Sequence, residues 1–171
     1  MNLLGAAAQG LSDQMRAGLT AAGPLSDSAV ATLILLSHSS GIGASELGKR
    51  LGITQSAAVR MVEGMERDGL LMRGPKAGRS VAITLTDQGR NLAQHLLEAR
   101  DHSLGVVVDS LAQDEQEQLE ALLMKMLPRL HQQPGDADRL CRLCDRQACI
   151  DGGAICPVGQ AERDCQEDTR G

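Results

Sequence analysis

Ala44-Ser-Glu-Leu-Gly-Lys-Arg-Leu-Gly-Ile53, then Thr54-Gln-Ser-Ala-Ala-Val-Arg-Met-Val-Glu-Gly-Met-Glu-Arg-Asp-Gly-Leu70, is the stretch whose reading decides the fold. Leu47 and Leu51 lie four apart, on one side of a short helix. Gly52 stands where a helix stops with positive φ. Thr54 can cap the next helix by accepting a free backbone N–H. In that helix Ala58, Met61, Val62 and Met65 form an i, i+3, i+4, i+7 stripe that packs back on Leu47 and Leu51. Gln55, Ser56, Ala57, Val59 and Arg60 occupy the other face near the N-terminus. They are small or hydrogen-bonding, which suits entry into a DNA major groove.

Two apolar strands follow. Val81, Ile83 and Leu85 alternate with Ser80, Ala82 and Thr84, and the partner is Leu70 to Arg73. The turn between them, Gly74-Pro75-Lys76-Ala77-Gly78-Arg79, carries two cations at its tip. A basic finger beside a recognition helix can reach an adjacent minor groove. The expected fold is therefore mainly α with a small β-hairpin wing, a winged helix-turn-helix. The candidate DNA contacts are Ser45, Thr54, Gln55, Ser56, Ala57, Val59, Arg60, Arg73, Lys76, Arg79 and Ser80.

Charge supports that reading locally, though not globally. The 171-residue chain carries −5, but residues 44–90 hold eight cations against five anions. That span is +3 and the remainder is −8, and duplex affinity follows the local surface. There is no Phe, Tyr or Trp, so the core is Leu, Val, Ile, Met and Ala, and no aromatic ring can stack on a base. No apolar run approaches the roughly 20 residues that cross a bilayer, and no signal peptide is apparent. The expectation is a cytoplasmic protein with no membrane partner. No catalytic triad, paired carboxylate frame or phosphate loop is present, so no enzyme is expected.

Outside the core, helices are expected over residues 1–22, from Ser26, from Thr86 and, after a break at Ala112-Gln113, from Asp114 to about Leu130. Gly23-Pro24 breaks the first, and Pro128 distorts the end of the last. These helices are more apolar than one winged domain needs. A two-fold dimer is expected, with recognition helices about 34–36 Å apart on successive major grooves. The expected domains are 1–131, with 44–86 as DNA-binding core and 1–22 plus 87–131 as dimerisation helices, a linker at 132–138, and a Cys-rich tail from 139 to 171.

The order Ser-Glu-Leu-x-x-Arg-Leu-Gly-Ile, Thr-Gln-Ser-Ala, Gly-Leu-Leu, then Gly-Arg-Ser-Val-Ala-Ile-Thr-Leu-Thr resembles the multiple-antibiotic-resistance (MarR) regulators, over about Leu3 to Leu130. That resemblance implies a homodimer that represses by occupying a palindromic operator in double-stranded DNA. It implies Arg79 in the minor groove, Thr54 to Arg60 in the major groove, and a small-molecule effector between the dimer helices and the DNA-binding lobe. Val59 departs from the polar residue many members carry there.

The tail reads Cys141-x2-Cys144-x4-Cys149-x6-Cys156-Pro157, with Gly152-Gly153 as a flexible return. Four nearby thiolates repel unless a cation gathers them, so Cys141, Cys144, Cys149 and Cys156 are the candidate metal ligands. The spacing allows two cofactors. An iron–sulfur cluster tolerates uneven spacing and is preferred; structural zinc usually uses two tight knuckles and this chain has one. A third reading is metal-free thiols that oxidise to disulfides. The tail also resembles that of many MarR-type regulators, and in layout the C-terminal iron–sulfur loop of superoxide-responsive MerR-class regulators. Cys165 is spare, a substitute ligand or a resolving thiol. His38, His95, His102 and His131 are scattered, and only His131 lies near the tail. The functional expectation is redox or iron sensing by the tail; the alternative is a repressor released by a small molecule, with zinc stapling the tail.

Overall fold

The computed structural model describes residues 1–39, 41–77 and 80–168. The elements run α1 (Asn2–Ala22), α2 (Asp27–His38), α3 (Ala44–Leu51), α4 (Gln55–Arg67), β1 (Leu71–Ala77), β2 (Ser80–Leu85), α5 (Asp87–Val108) and α6 (Gln113–Met126). A 3-10 turn, Leu127–Leu130, leads into the tail helices α7 (Asp136–Leu140), α8 (Arg146–Ile150) and α9 (Pro157–Asp168).

The caps lie where the sequence calls for them. Ser26 accepts the Ala29 N–H at 3.3 Å, Thr54 the Ala57 N–H at 3.2 Å and Thr86 the Gly89 N–H at 3.0 Å. Gly52 closes α3 at φ 67° and ψ 28°, a left-handed geometry that a side chain rarely adopts. Around this turn Leu47, Ala58 and Val62 are completely buried and Met65 nearly so. Leu51 and Met61 pack on the same core from its edge. The helix-turn-helix thus closes through the two stripes read from the sequence.

The core continues into α2, where Val30, Leu33 and Ile34 are buried, and into α5 through Ala93, Leu96 and Leu97. The wing joins it at Leu71, Ile83 and Leu85. Ile83 also donates its N–H to the Ile42 carbonyl at 3.0 Å, tying the hairpin to the segment before α3.

The hairpin differs from expectation in one respect. β1 does not stop at Arg73 but runs to Ala77, so the turn is shorter than Gly74 to Arg79. The antiparallel register pairs Leu71 with Leu85 and Arg73 with Ile83, shifts, and resumes with Lys76 opposite Val81. The shift contains Pro75, which has no N–H to give to a ladder. Gly78 and Arg79 lie outside the described residues.

Helix α6 buries none of its 14 residues. Leu122, Leu123, Met126 and Leu130 are exposed here, as are Val106 and Val107 on α5 and Leu3 and Leu4 on α1. Among the described residues no single helix is long and apolar enough to cross a membrane.

The expected linker also differs, because α7 begins within it at Asp136. The Asp136 carboxylate is buried and accepts the Gln132 N–H at 2.9 Å and the Gln133 N–H at 3.1 Å. The tail then packs on the rest of the chain: α7 against α3, and α9 against the 3-10 turn.

Candidate nucleic-acid interface and thiol site

Thr54, Gln55, Ser56, Val59 and Arg60 line one open concave surface at the N-terminal end of α4. Thr54, Gln55, Ser56 and Arg60 are exposed, whereas Ala57 and Val59 are half-buried. The same hydroxyl that caps α4 lies 3.2 Å from Ser56 Oγ, so capping and surface chemistry share one residue. Ser45 is exposed in the first turn of α3. Arg73 is tied down: its Nε donates to Glu66 at 2.9 Å and its Nη2 lies 4.0 Å from Glu63. It braces the wing against α4. Lys76 and Ser80 fall on β1 and β2, and Arg79 lies outside the described residues.

The hairpin is fixed to this surface by a junction at Thr86. The Thr86 hydroxyl donates to the Gly69 carbonyl at 2.6 Å, and its N–H donates to the Leu70 carbonyl at 3.1 Å. Gly89 passes so close to Leu70 that a Cβ there would collide with the Leu70 carbonyl oxygen. The end of α4, the wing and the start of α5 therefore form one locked corner.

The second site is in the tail. Cys141, Cys144, Cys149 and Cys156 line one cavity of about 260 Å³, closed on its far side by Ile34, Leu35 and His38 of α2 and Arg50 of α3. The four thiols of this short segment line the same cavity, and Cys165, on α9, is not among the lining residues. Among the described residues no three His, Cys, Asp or Glu side chains converge closely enough to hold a single ion. The thiols surround a space instead.

Charge around that space is positive. Arg142, Arg146 and Arg163 line it with Arg50, against the carboxylate of Asp138. Cys141 donates its S–H to Cys144; this bond, with Arg100 and Arg142 nearby, lowers the Cys144 thiol against the opposing effect of burial. Cys141 is pushed up in return, by that bond first and then by burial. Burial and then the neighbouring thiols raise Cys149. Arg100 Nε is buried without a hydrogen-bond partner, while its Nη1 pairs with Asp101 at 2.5 Å.

His38 was not singled out by sequence, and it forms the contact between tail and core. Its Nε2 accepts the Arg146 N–H at 3.4 Å and lies 3.7 Å from the Asp145 carboxylate. Burial pushes its imidazole below 6.5, partly offset by Asp145. His131 is no ligand here: it pairs with Glu162 at 2.8 Å. Glu162 also accepts the Gly135 N–H at 2.9 Å and the Ala137 N–H at 3.4 Å. Burial works to raise this carboxyl, but those hydrogen bonds hold it down at about 2.

Comparison with known proteins converges on one fold. Residues 25–78 match the MarR family. The chain is 27% identical over 104 residues to the uncharacterized HTH-type transcriptional regulator YdgJ of Bacillus subtilis, covering 60% of this chain and 63% of that one. Among solved structures it is similar to MepR, a transcription regulator of the Staphylococcus aureus multidrug efflux pump MepA. There the TM-score is 0.65 at 24% identity, over 75% of this chain and 96% of that one. It is also similar to the Mycobacterium tuberculosis MarR family protein Rv2887, at TM-score 0.58 and 25% identity, over 73% and 91% of the two chains. Rv2887 has also been solved with salicylic acid, and that structure matches at TM-score 0.56 and 26% identity, over 72% and 93%.

Proposed function

We propose that the chain, whose residues 25–78 match the MarR family, is a non-enzymatic winged helix-turn-helix regulator that binds a palindromic operator as a homodimer and represses transcription in the cytoplasm. The observation that carries this is the concave surface of Thr54, Gln55, Ser56, Val59 and Arg60 at one helix N-terminus, beside a wing locked to the same lobe. Small and hydrogen-bonding groups there can enter a major groove, and Arg60 can hold a guanine edge or a phosphate. The uncovered apolar length of α6 supports the dimer.

The tail thiols are the sensing site in this reading. Three features fit a thiolate-held iron–sulfur cluster. The four thiols line one cavity of about 260 Å³, which has room for a group larger than a single ion. Four arginines offset thiolate charge. Arg100, whose buried Nε–H has no acceptor among the described residues, lies close enough to Cys144 to favour its thiolate. Cys141, Cys144, Cys149 and Cys156 would hold the group, which when bound supplies a one-electron couple. The chain's own part is to exclude water with Ile34 and Leu35 and to seat the site against α2 and α3.

The test is anaerobic purification, followed by iron and sulfide analysis, an absorption spectrum and duplex binding before and after oxidation. The expected result is colour, salt-dependent binding and an affinity that changes on oxidation. Protein without iron or sulfide removes the cluster. Absence of salt-dependent duplex binding removes the regulator itself. Salicylate or a similar small acid releasing DNA, with zinc in the tail, would favour the alternative of a ligand-responsive repressor.

A further inference from the structure

The same four residues that carry two of the thiols also carry an apolar side chain that faces elsewhere. Cys141 to Cys144 form a tight turn, with the Cys144 N–H donating to the Cys141 carbonyl at 3.0 Å. Cys141 and Cys144 face the thiol cavity. Leu143 packs instead against the buried core cluster of the winged domain. It enters a groove between α1 and α2 lined by Met15, Leu19, Leu25 and Val30, where the residual cavity is about 40 Å³.

That groove lies at a mechanical junction. Helices α1 and α2 meet there at 82° across Gly23-Pro24. On one side α1 packs along α5, which leads towards the uncovered helices of the dimer end. On the other, α2 packs on α5 as well, and also on α3 and β2 of the winged lobe. A side chain seated between α1 and α2 is therefore placed to bias how α1 sits against α2, the helix that joins α5 to the winged lobe, and interdigitated interiors respond to such changes in steps rather than smoothly.

We propose that Leu143 is a tethered wedge: an effector built into the chain, held between α1 and α2 by the turn that bears Cys141 and Cys144. Seated, it sets the angle of the DNA-reading lobe; withdrawn, it frees that angle. In the regulatory half of the proposal, which rests on the thiols being the sensing site, a change in the spacing of Cys141 and Cys144 rotates the turn and moves the leucine.

The experiment compares wild type with Leu143→Asp, Leu143→Ala and Leu143→Met, each kept reduced and free of metal by a chelator. One readout is hydrogen exchange across residues 12–30. The other is affinity for a duplex that wild type selects from a random-sequence pool. Leu143→Asp should speed exchange in that segment about tenfold and change duplex affinity roughly fivefold or more, in the range of ordinary coupling between sites. Leu143→Met should match wild type. Where circular dichroism shows that the aspartate variant has lost helix, the alanine variant carries the same expectation. Unchanged exchange and affinity overturn the wedge, and faster exchange with unchanged affinity overturns it too, leaving a mere anchor. If oxidising wild type with a thiol-specific reagent leaves DNA binding unaltered while Leu143→Asp changes it, the wedge stands and the thiol reading falls.

Discussion

Arg60 and Glu162 show how differently single residues act in this chain. Arg60 is exposed on the outward face of α4, beside Gln55, Ser56 and Val59. Arg60→Ala should weaken binding to a selected duplex by about 1–3 kcal/mol if the guanidinium reads a base, with lost discrimination at one position. If it holds a phosphate, the loss is uniform across sequences and the salt slope falls by about one. Anisotropy titrations at several salt concentrations separate the two, and an unchanged affinity would remove Arg60 from the interface. Glu162 acts on the tail. Its carboxyl is held at about 2 against an ordinary 4.5, so its contribution to docking α9 is complete above pH 4.5. That contribution is lost as pH falls towards 2. Glu162→Gln should loosen the tail at neutral pH and reduce this acid dependence, leaving the part carried by Asp136, as read by hydrogen exchange at residues 131–137. Arg60 is legible in sequence from its place on a helix face. Glu162 is not, because its donors, Gly135 and Ala137, are backbone groups brought to it by folding.

At the scale of elements, the locked corner is the most sensitive point. Gly89→Ala places a methyl against the Leu70 carbonyl, so either the wing or the start of α5 must move. The variant should lose about 1–3 kcal/mol of stability, as overpacked sites do, and weaken duplex binding more than a surface change on α5 would. Chemical denaturation with parallel binding measurements checks both; a variant as stable as wild type would show that the corner is looser than described. The helices and their ends were readable because caps and apolar spacing are local. The length of β1 was not, because the bulge beside Pro75 depends on pairing with β2. Helices α7, α8 and α9 escaped notice for a similar reason: few apolar residues mark them, and Val158 is the one buried side chain of α9.

For the molecule as a whole, the uncovered apolar face is the largest unspent driving force. Leu122 and Leu123 of α6 are 56% and 41% exposed. Full burial of a leucine is worth roughly 1.5–3 kcal/mol, and covering the exposed half of each of these would contribute about half of that. Leu122→Arg combined with Leu123→Arg should shift sedimentation from dimer to monomer and reduce operator affinity, since one protomer offers only one half-site reader. A double variant that sediments as wild type would place the dimer contact elsewhere. The winged lobe should remain folded, because α6 contributes nothing to its core.

The sequence by itself determined the winged helix-turn-helix and the face of α4 turned outward. It also marked Cys141, Cys144, Cys149 and Cys156 as one group. Period, caps and short-range spacing are written residue by residue, and a helix obeys them wherever it lies. Only tertiary structure decided that the thiols share a wall with α2 and α3, that His38 meets Asp145, and that Leu143 turns away from its cysteine neighbours into the core. Those contacts join residues about a hundred positions apart, as in the Arg146 N–H to His38 bond, and nothing local encodes them. They follow from which apolar surfaces remain to be covered once the helices have formed.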